Sequence, residues 1–306
     1  MEEKTLDSLI EVISQRQIDL NNRIADYYEK VDNALNEIIS TRFMDLNDGE
    51  LFVFPFGDYI SDTICDTSIV DFYVVYRTKR ENVNFAVVYE KQTKKGKRVS
   101  TYQSIVGGAT VKNVMQAEDV AKRISYFLEQ SVACSQMYQR RNEIVFNLSN
   151  DLTARITVCY DFELKNGDFR QRKVNRWINI NPTKYLSKIE EKNEQTNNNY
   201  SKFVMLFKAL EIELIILEKS QLLISKNGFV ENLLYNVPNE LFIGTNMQVL
   251  NQILNYLKLK NLDNYELISE TGKMFNKQDL IYSKNYAKQF INKIIYATDN
   301  FEKFYE

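Results

Sequence analysis

Asp71 is the residue whose setting offers the most chemistry. It lies in an apolar, strand-like run at residues 69–76, reached from a first apolar strand at 51–56 through Gly57 and a connection rich in Asp, Ser and Thr. A glycine turn lets backbone N–H groups approach an anion, and carboxylates are the hard oxygen ligands that divalent cations require. The stretch FPFGDYISDTICDTSIVDFYVVYR, residues 54–77, therefore has the layout of a phosphate-and-metal loop. Two strands joined in this way could cradle a nucleoside triphosphate.

The rest of the composition narrows what that loop can do. The 306 residues contain no histidine, which removes Ser-His and Cys-His nucleophile systems, an imidazole base and every His-containing zinc site. Any metal would be held by oxygen, which favours Mg2+, Mn2+ or Ca2+. Cys65, Cys134 and Cys159 are an odd, scattered set, as expected of reduced thiols in a cytoplasm rather than a disulfide framework. A net charge of -2 advertises neither nucleic acid nor membrane, so a polyanion would need a local patch. The basic runs Lys91, Lys94, Lys95, Lys97, Arg98 and Arg170, Arg172, Lys173, Arg176 are the candidates for RNA, although such runs are commonly just solvated. The acidic, amphipathic start is no secretory signal, and no stretch is long and uncharged enough to span a membrane.

The elements that must position the loop follow from periodicity. Apolar residues at helical spacing from 6 to 43 predict one long amphipathic helix or a helix pair, which packs along its own domain or meets a partner. Residues 50–164 read as strands with one inserted helix at 114–138, giving a sheet with a helix on one face. Beyond residue 180 the pattern is almost wholly helical, with blocks at 183–195, 200–219, 228–235, 239–258 and 280–299. The expected division is a mixed lobe at 1–180 and a helical lobe at 181–306.

Three segments in this order resemble the nucleotidyltransferase superfamily, in particular bacterial cyclic-oligonucleotide synthases and oligoadenylate synthases. They are the stretch from Gly57 to Phe72, the segment WININPTKYLSKIEEKNEQ, and FVMLFKALEIEL followed by NGFVENLLYNVPNELF. The likeness covers roughly residues 5–258, leaving the tail unassigned. It implies an α+β, bilobed nucleotidyltransferase-like fold: a small mixed β-sheet lobe, a helical lobe, and a long N-terminal helix bracing both.

It also implies where chemistry would sit and where it is degraded. Such enzymes place two carboxylates at i and i+2 of a strand, on one face, with a third from a neighbouring strand, to hold two Mg2+ ions. Here the pair is Ile69 and Asp71, the third position is Thr157, and the serine after the glycine is Asp58. Asp71 is thus the candidate catalytic residue and metal ligand, with Gly57, Asp58 and Lys208 the candidate nucleotide contacts. Asp62, Asp66 and Asp161 are conceivable replacement ligands, Asp161 only if a bulge shortens the roughly 13 Å that separate it from Thr157. Asp71 as a buried ion-pair residue, Lys208 as a solvated charge and Glu231 as a brace of the second lobe are the structural alternatives.

The resulting expectation is a divergent, catalytically degraded member with a nucleotide-binding (ATP or GTP), RNA-binding or protein-interaction role. One alternative is an active nucleotidyltransferase using Mg2+ with atypical ligands. The other is a structural partner that assembles through its N-terminal helix.

Overall fold

The structure is a computed structural model that describes residues 2–44, 49–57, 63, 69–78, 83–92, 98–106, 109–110, 117–132, 135–148, 152–161, 169–173, 176–180, 182–218, 228–268, 273–275 and 283–300. Asp58, Asp62 and Asp66 lie outside these residues, as do Lys94, Lys95 and Lys97.

The N-terminal periodicity resolves into a single helix, α1 (Glu3–Arg42), 40 residues long. At 1.5 Å per residue that is a rod of about 60 Å. Its stripe enters two different cores. Leu6 and Ile10 are buried in the helical lobe. Ile24, Val31, Ala34, Leu35 and Ile38 are buried against the sheet. Gln17, a buried polar residue, sits on the rod between the two groups.

The sheet begins with β1 (Gly49–Phe56) and β2 (Ile69–Thr78), an antiparallel pair in which Phe56 stands opposite Asp71. β3 (Val83–Gln92), β4 (Arg98–Val106) and β5 (Ala109–Thr110) form a separate antiparallel sheet. Then come α2 (Ala117–Ser131), β6 (Ser135–Arg140), β7 (Glu143–Asn147), β8 (Thr153–Asp161), β9 (Phe169–Lys173) and β10 (Arg176–Ile180). The main sheet runs β1-β2-β8-β7-β6, with β9 joined to β8 and β10 to β9. Its parallel pair is β2 with β8. A parallel neighbour needs a crossover connection, and α2 lies on that connection, packed against β8.

Alternation divides the central strands. Val70, Phe72 and Val74 of β2, with Ala154, Ile156 and Val158 of β8, are buried in the core that α1 and α2 complete. Asp71, Tyr73 and Val75, with Arg155, Thr157 and Cys159, therefore share the opposite face. Val75 and Cys159 are buried there, with Phe54 and Tyr73 packed against them.

The helical lobe comprises α3 (Pro182–Gln195), α4 (Asn199–Glu218), α5 (Phe229–Tyr235), α6 (Asn246–Leu259) and α7 (Lys284–Asp299), with short 3-10 turns at Asn239–Phe242 and Leu262–Asn264. Pro182 suits the first position of α3, where its missing N–H goes unused. α4 is the centre of this lobe, burying Tyr200, Phe203, Val204, Leu206, Phe207 and Leu210. Lys192 of α3 donates to the Val237 carbonyl at 2.5 Å, with its ammonium over the rings of Tyr235 and Phe242.

Two elements differ from the periodicity-based expectation. The helix expected to run to 138 ends at Ser131, because its buried stripe stops at Leu128 and residues 135–140 pair with β7 instead. The block at 239–258 is broken by Gly244, whose φ of +136° is outside helical range, and α6 restarts behind a Thr245–Gln248 capping box.

Candidate functional site

The site is built where β1 ends against β2. Gly57 terminates β1 with φ +84°, a left-handed conformation that glycine adopts without penalty. Its neighbour is the Asp71 carboxylate: a Cβ at position 57 would lie 3.0 Å from Asp71 Oδ2 and 3.2 Å from its Cβ. A side chain here would be strained in conformation and would press on the carboxylate.

Asp71 is 4% exposed, and both of its oxygens accept hydrogen bonds from one guanidinium. Arg155 Nε donates to Oδ1 at 2.7 Å and Nη2 donates to Oδ2 at 2.8 Å. The parallel register sets this up, since Arg155 stands directly opposite Asp71. Such a bidentate, charge-assisted pair is strong and geometrically specific. Burial alone would pull the Arg155 pKa down, but the charge and hydrogen bonds of Asp71 outweigh it, aided by Tyr73 and Glu143, so it lies above the ordinary arginine value. On the same face, burial pushes the Tyr73 phenol well above its usual value, with Cys159 and Asp71 adding to the effect.

A pair of divalent ions does not fit this donor set. Thr157 is buried opposite Tyr73 and brings a hydroxyl where a third carboxylate would be needed. Ile69 opens β2 opposite Thr153. Asp161 is no substitute: the β2–β8 register continues unbroken to Arg77 opposite Asp161, with no bulge, which puts that residue about 20 Å along the strand from Arg155. Among the described residues no three His, Cys, Asp or Glu side chains converge as a metal cluster.

A second buried cluster joins the lobes. Lys208 of α4 forms an ion pair with Glu231 of α5 and donates to the Thr63 carbonyl at 3.0 Å. The Thr63 hydroxyl in turn donates to Glu231 Oε1 at 3.1 Å. Tyr200 donates from its hydroxyl to the Glu231 carbonyl at 3.0 Å. Lys208 is therefore buried and paired rather than solvated, and Glu231 braces both its own lobe and the connection between β1 and β2. The structure thus brings Gly57 to Asp71, and Lys208 to Glu231 and Thr63.

Arg155 and Thr63 were not singled out from the sequence. Arg155 carried a usable signal: it lies two residues before Thr157, on the same strand face, and offers the opposite charge to Asp71. Thr63 carried none that distinguishes it from Ser61 or Thr67. Of the basic runs, Lys91 and Arg98 lie at the end of the β3–β4 pair that residues 93–97 connect, and Arg170, Arg172, Lys173 and Arg176 lie on β9–β10.

Residues 187–299 match the family model of the cGAS/DncV-like nucleotidyltransferase C-terminal helical domain. A cyclic UMP-AMP synthase from Rhodothermus marinus is 29% identical over 116 residues, covering 38% of this chain and 40% of that protein. The cyclic nucleotide synthase CdnE01 of Staphylococcus haemolyticus is 32% identical over 108 residues, covering 34% of this chain and 36% of that protein. The aligned stretch thus spans two-fifths or less of either relative's length. The solved structure of Rhodothermus marinus CdnE c-UMP-AMP synthase with Apcpp and Upnpp superposes with a TM-score of 0.65 at 20% identity, covering 90% of this chain and 91% of that one. Likeness in fold runs through nearly the whole chain, while the sequence matches cover little more than a third of it.

Proposed function

We propose that this chain, whose residues 187–299 match the cGAS/DncV-like C-terminal helical domain and whose fold superposes on that of a nucleotidyltransferase, is a divergent member of that superfamily that acts by binding rather than by nucleotidyl transfer. Transfer concentrates negative charge at one phosphorus and relies on divalent ions to neutralise it. Those ions need carboxylates that are free to bind them. The observation that carries the reading is the bidentate Arg155–Asp71 pair, which commits both oxygens of the strand carboxylate to a guanidinium. Incubation with labelled nucleoside triphosphates and Mg2+ or Mn2+ is expected to yield no product. A product that disappears in Asp71→Ala would overturn the reading in favour of an active transferase with atypical ligands.

The first ligand to test is a nucleoside triphosphate such as ATP or GTP, because the Rhodothermus structure is of a synthase with nucleotide analogues. Gly57, Asp58 and Lys208 are the contacts proposed for it. Lys208 would have to leave Glu231 to meet a phosphate, so binding of modest affinity is expected. A nucleotide-induced rise in melting temperature that is lost in Lys208→Ala supports this role. No shift with any nucleotide leaves association with a protein partner. A reducing cytoplasm suits the buried thiol of Cys159.

A further inference from the structure

We propose that the Arg155 guanidinium is a built-in replacement for a divalent cation: this face of the sheet keeps a cation site at Asp71, with its cation supplied covalently by the chain. This extends the binding reading above, since it too takes Asp71 out of metal chemistry.

A buried carboxylate needs a positive partner, because an uncompensated charge of low exposure is strongly penalised. Asp71 has a side-chain exposure of 5%, and Arg155 reaches it from the opposing residue of the neighbouring strand. The guanidinium meets both carboxylate oxygens, as a metal ion bound by a bidentate carboxylate would. Its side chain is 32% exposed overall, so Arg155 is partly covered where it meets Asp71. The surrounding groups suit a cation. Glu143 stands opposite Thr157 on that face, and Glu143, Tyr73 and Asp71 all act electrostatically on Arg155 in the direction that keeps it charged. Without the guanidinium the site would present the Asp71 carboxylate, with the Thr157 hydroxyl on the same face of the neighbouring strand, oxygen donors of the kind Mg2+ and Mn2+ take.

The test measures stability in the absence of nucleotide. Wild type, Arg155→Ala, Asp71→Asn and the double variant are melted in chelator and in millimolar Mn2+. The wild type is expected to melt at one temperature in both conditions. Arg155→Ala is expected to melt roughly 5–10 °C lower in chelator, and to recover at least half of that with Mn2+. The double variant, with no buried charge to neutralise, is expected to ignore Mn2+. Arg155→Lys guards against a failure of Arg155→Ala to fold: it keeps a cation and is expected to melt lower than wild type but without response to Mn2+. A Mn2+-dependent rise in wild type that is lost in Asp71→Asn overturns the proposal. So does an Arg155→Ala protein that folds and ignores Mn2+, or an Arg155→Lys protein that is rescued by it. The two readings fail separately: nucleotide products from a Mn2+-insensitive wild type would sink only the non-catalytic reading. A Mn2+-responsive wild type that makes no product would sink only this one.

Discussion

Gly57 and Asp71 constrain one another at the scale of single side chains. The left-handed φ at position 57 costs a non-glycine residue about 1–2 kcal/mol. The new Cβ would also press on the carboxylate that Arg155 holds. Gly57→Ala is therefore expected to lower the unfolding free energy by at least that amount in urea titrations, and an unchanged midpoint would mean that the turn relaxes freely. Lys208 and Glu231 pose a different problem, since each is the other's neutralising partner in a site closed to water. Lys208→Met leaves Glu231 uncompensated and is expected to cost about 3–5 kcal/mol. Adding Glu231→Gln should return a large part of it, so a double-mutant cycle by chemical denaturation should show strong coupling. Additive losses would mean that the two charges do not depend on each other.

α1 and the β2–β8 pair are the elements that place these residues. The two ends of α1 serve different cores, so Leu6→Ala and Leu35→Ala, each expected to cost about 2–5 kcal/mol, should act in different places. Hydrogen exchange should quicken in α4 and α6 for the first and in β2 and β8 for the second; the same pattern for both would contradict the division of the helix. Much of this was legible beforehand. The 3.6-residue period showed α1, and alternation with Val, Phe and Tyr showed β2, because both elements bury one clean stripe. The α2–β6 boundary was not legible, because residues 135–140 have no local strand signal and are held by pairing with β7. The glycine turn and Asp71 stood out as a motif. The guanidinium on Asp71 did not, since partnership between residues 84 positions apart depends on which strands become neighbours. The hydroxyl of Thr63 is a similar case, 168 positions from the carboxylate it meets.

The whole molecule should show its buried charges as a dependence of stability on pH. Burial, partly offset by Glu240, lowers the Lys192 pKa to about 8 from an ordinary 10.5. Between those values the folded chain has lost a proton that the unfolded chain still binds, so stability rises with pH across that window. Burial raises the phenols of Tyr73, Tyr200, Tyr265 and Tyr286 above their ordinary 10.0. Above that pH the unfolded chain ionises first and stability falls. Denaturation midpoints should therefore climb from pH 8 towards 10 and then drop, with the climb flattened in Lys192→Met; a wild type with no climb would contradict the buried position of this ammonium. The same α1 that enters both cores also fixes their relative phase. One residue inserted beside Gln17 would turn everything beyond it by about 100° around the helix axis and advance it by about 1.5 Å. A seven-residue insertion would nearly restore the angle but displace one lobe by about 10 Å. Extra length can be absorbed in the connections between elements, whereas within this rod it becomes a rotation of one half of the molecule against the other.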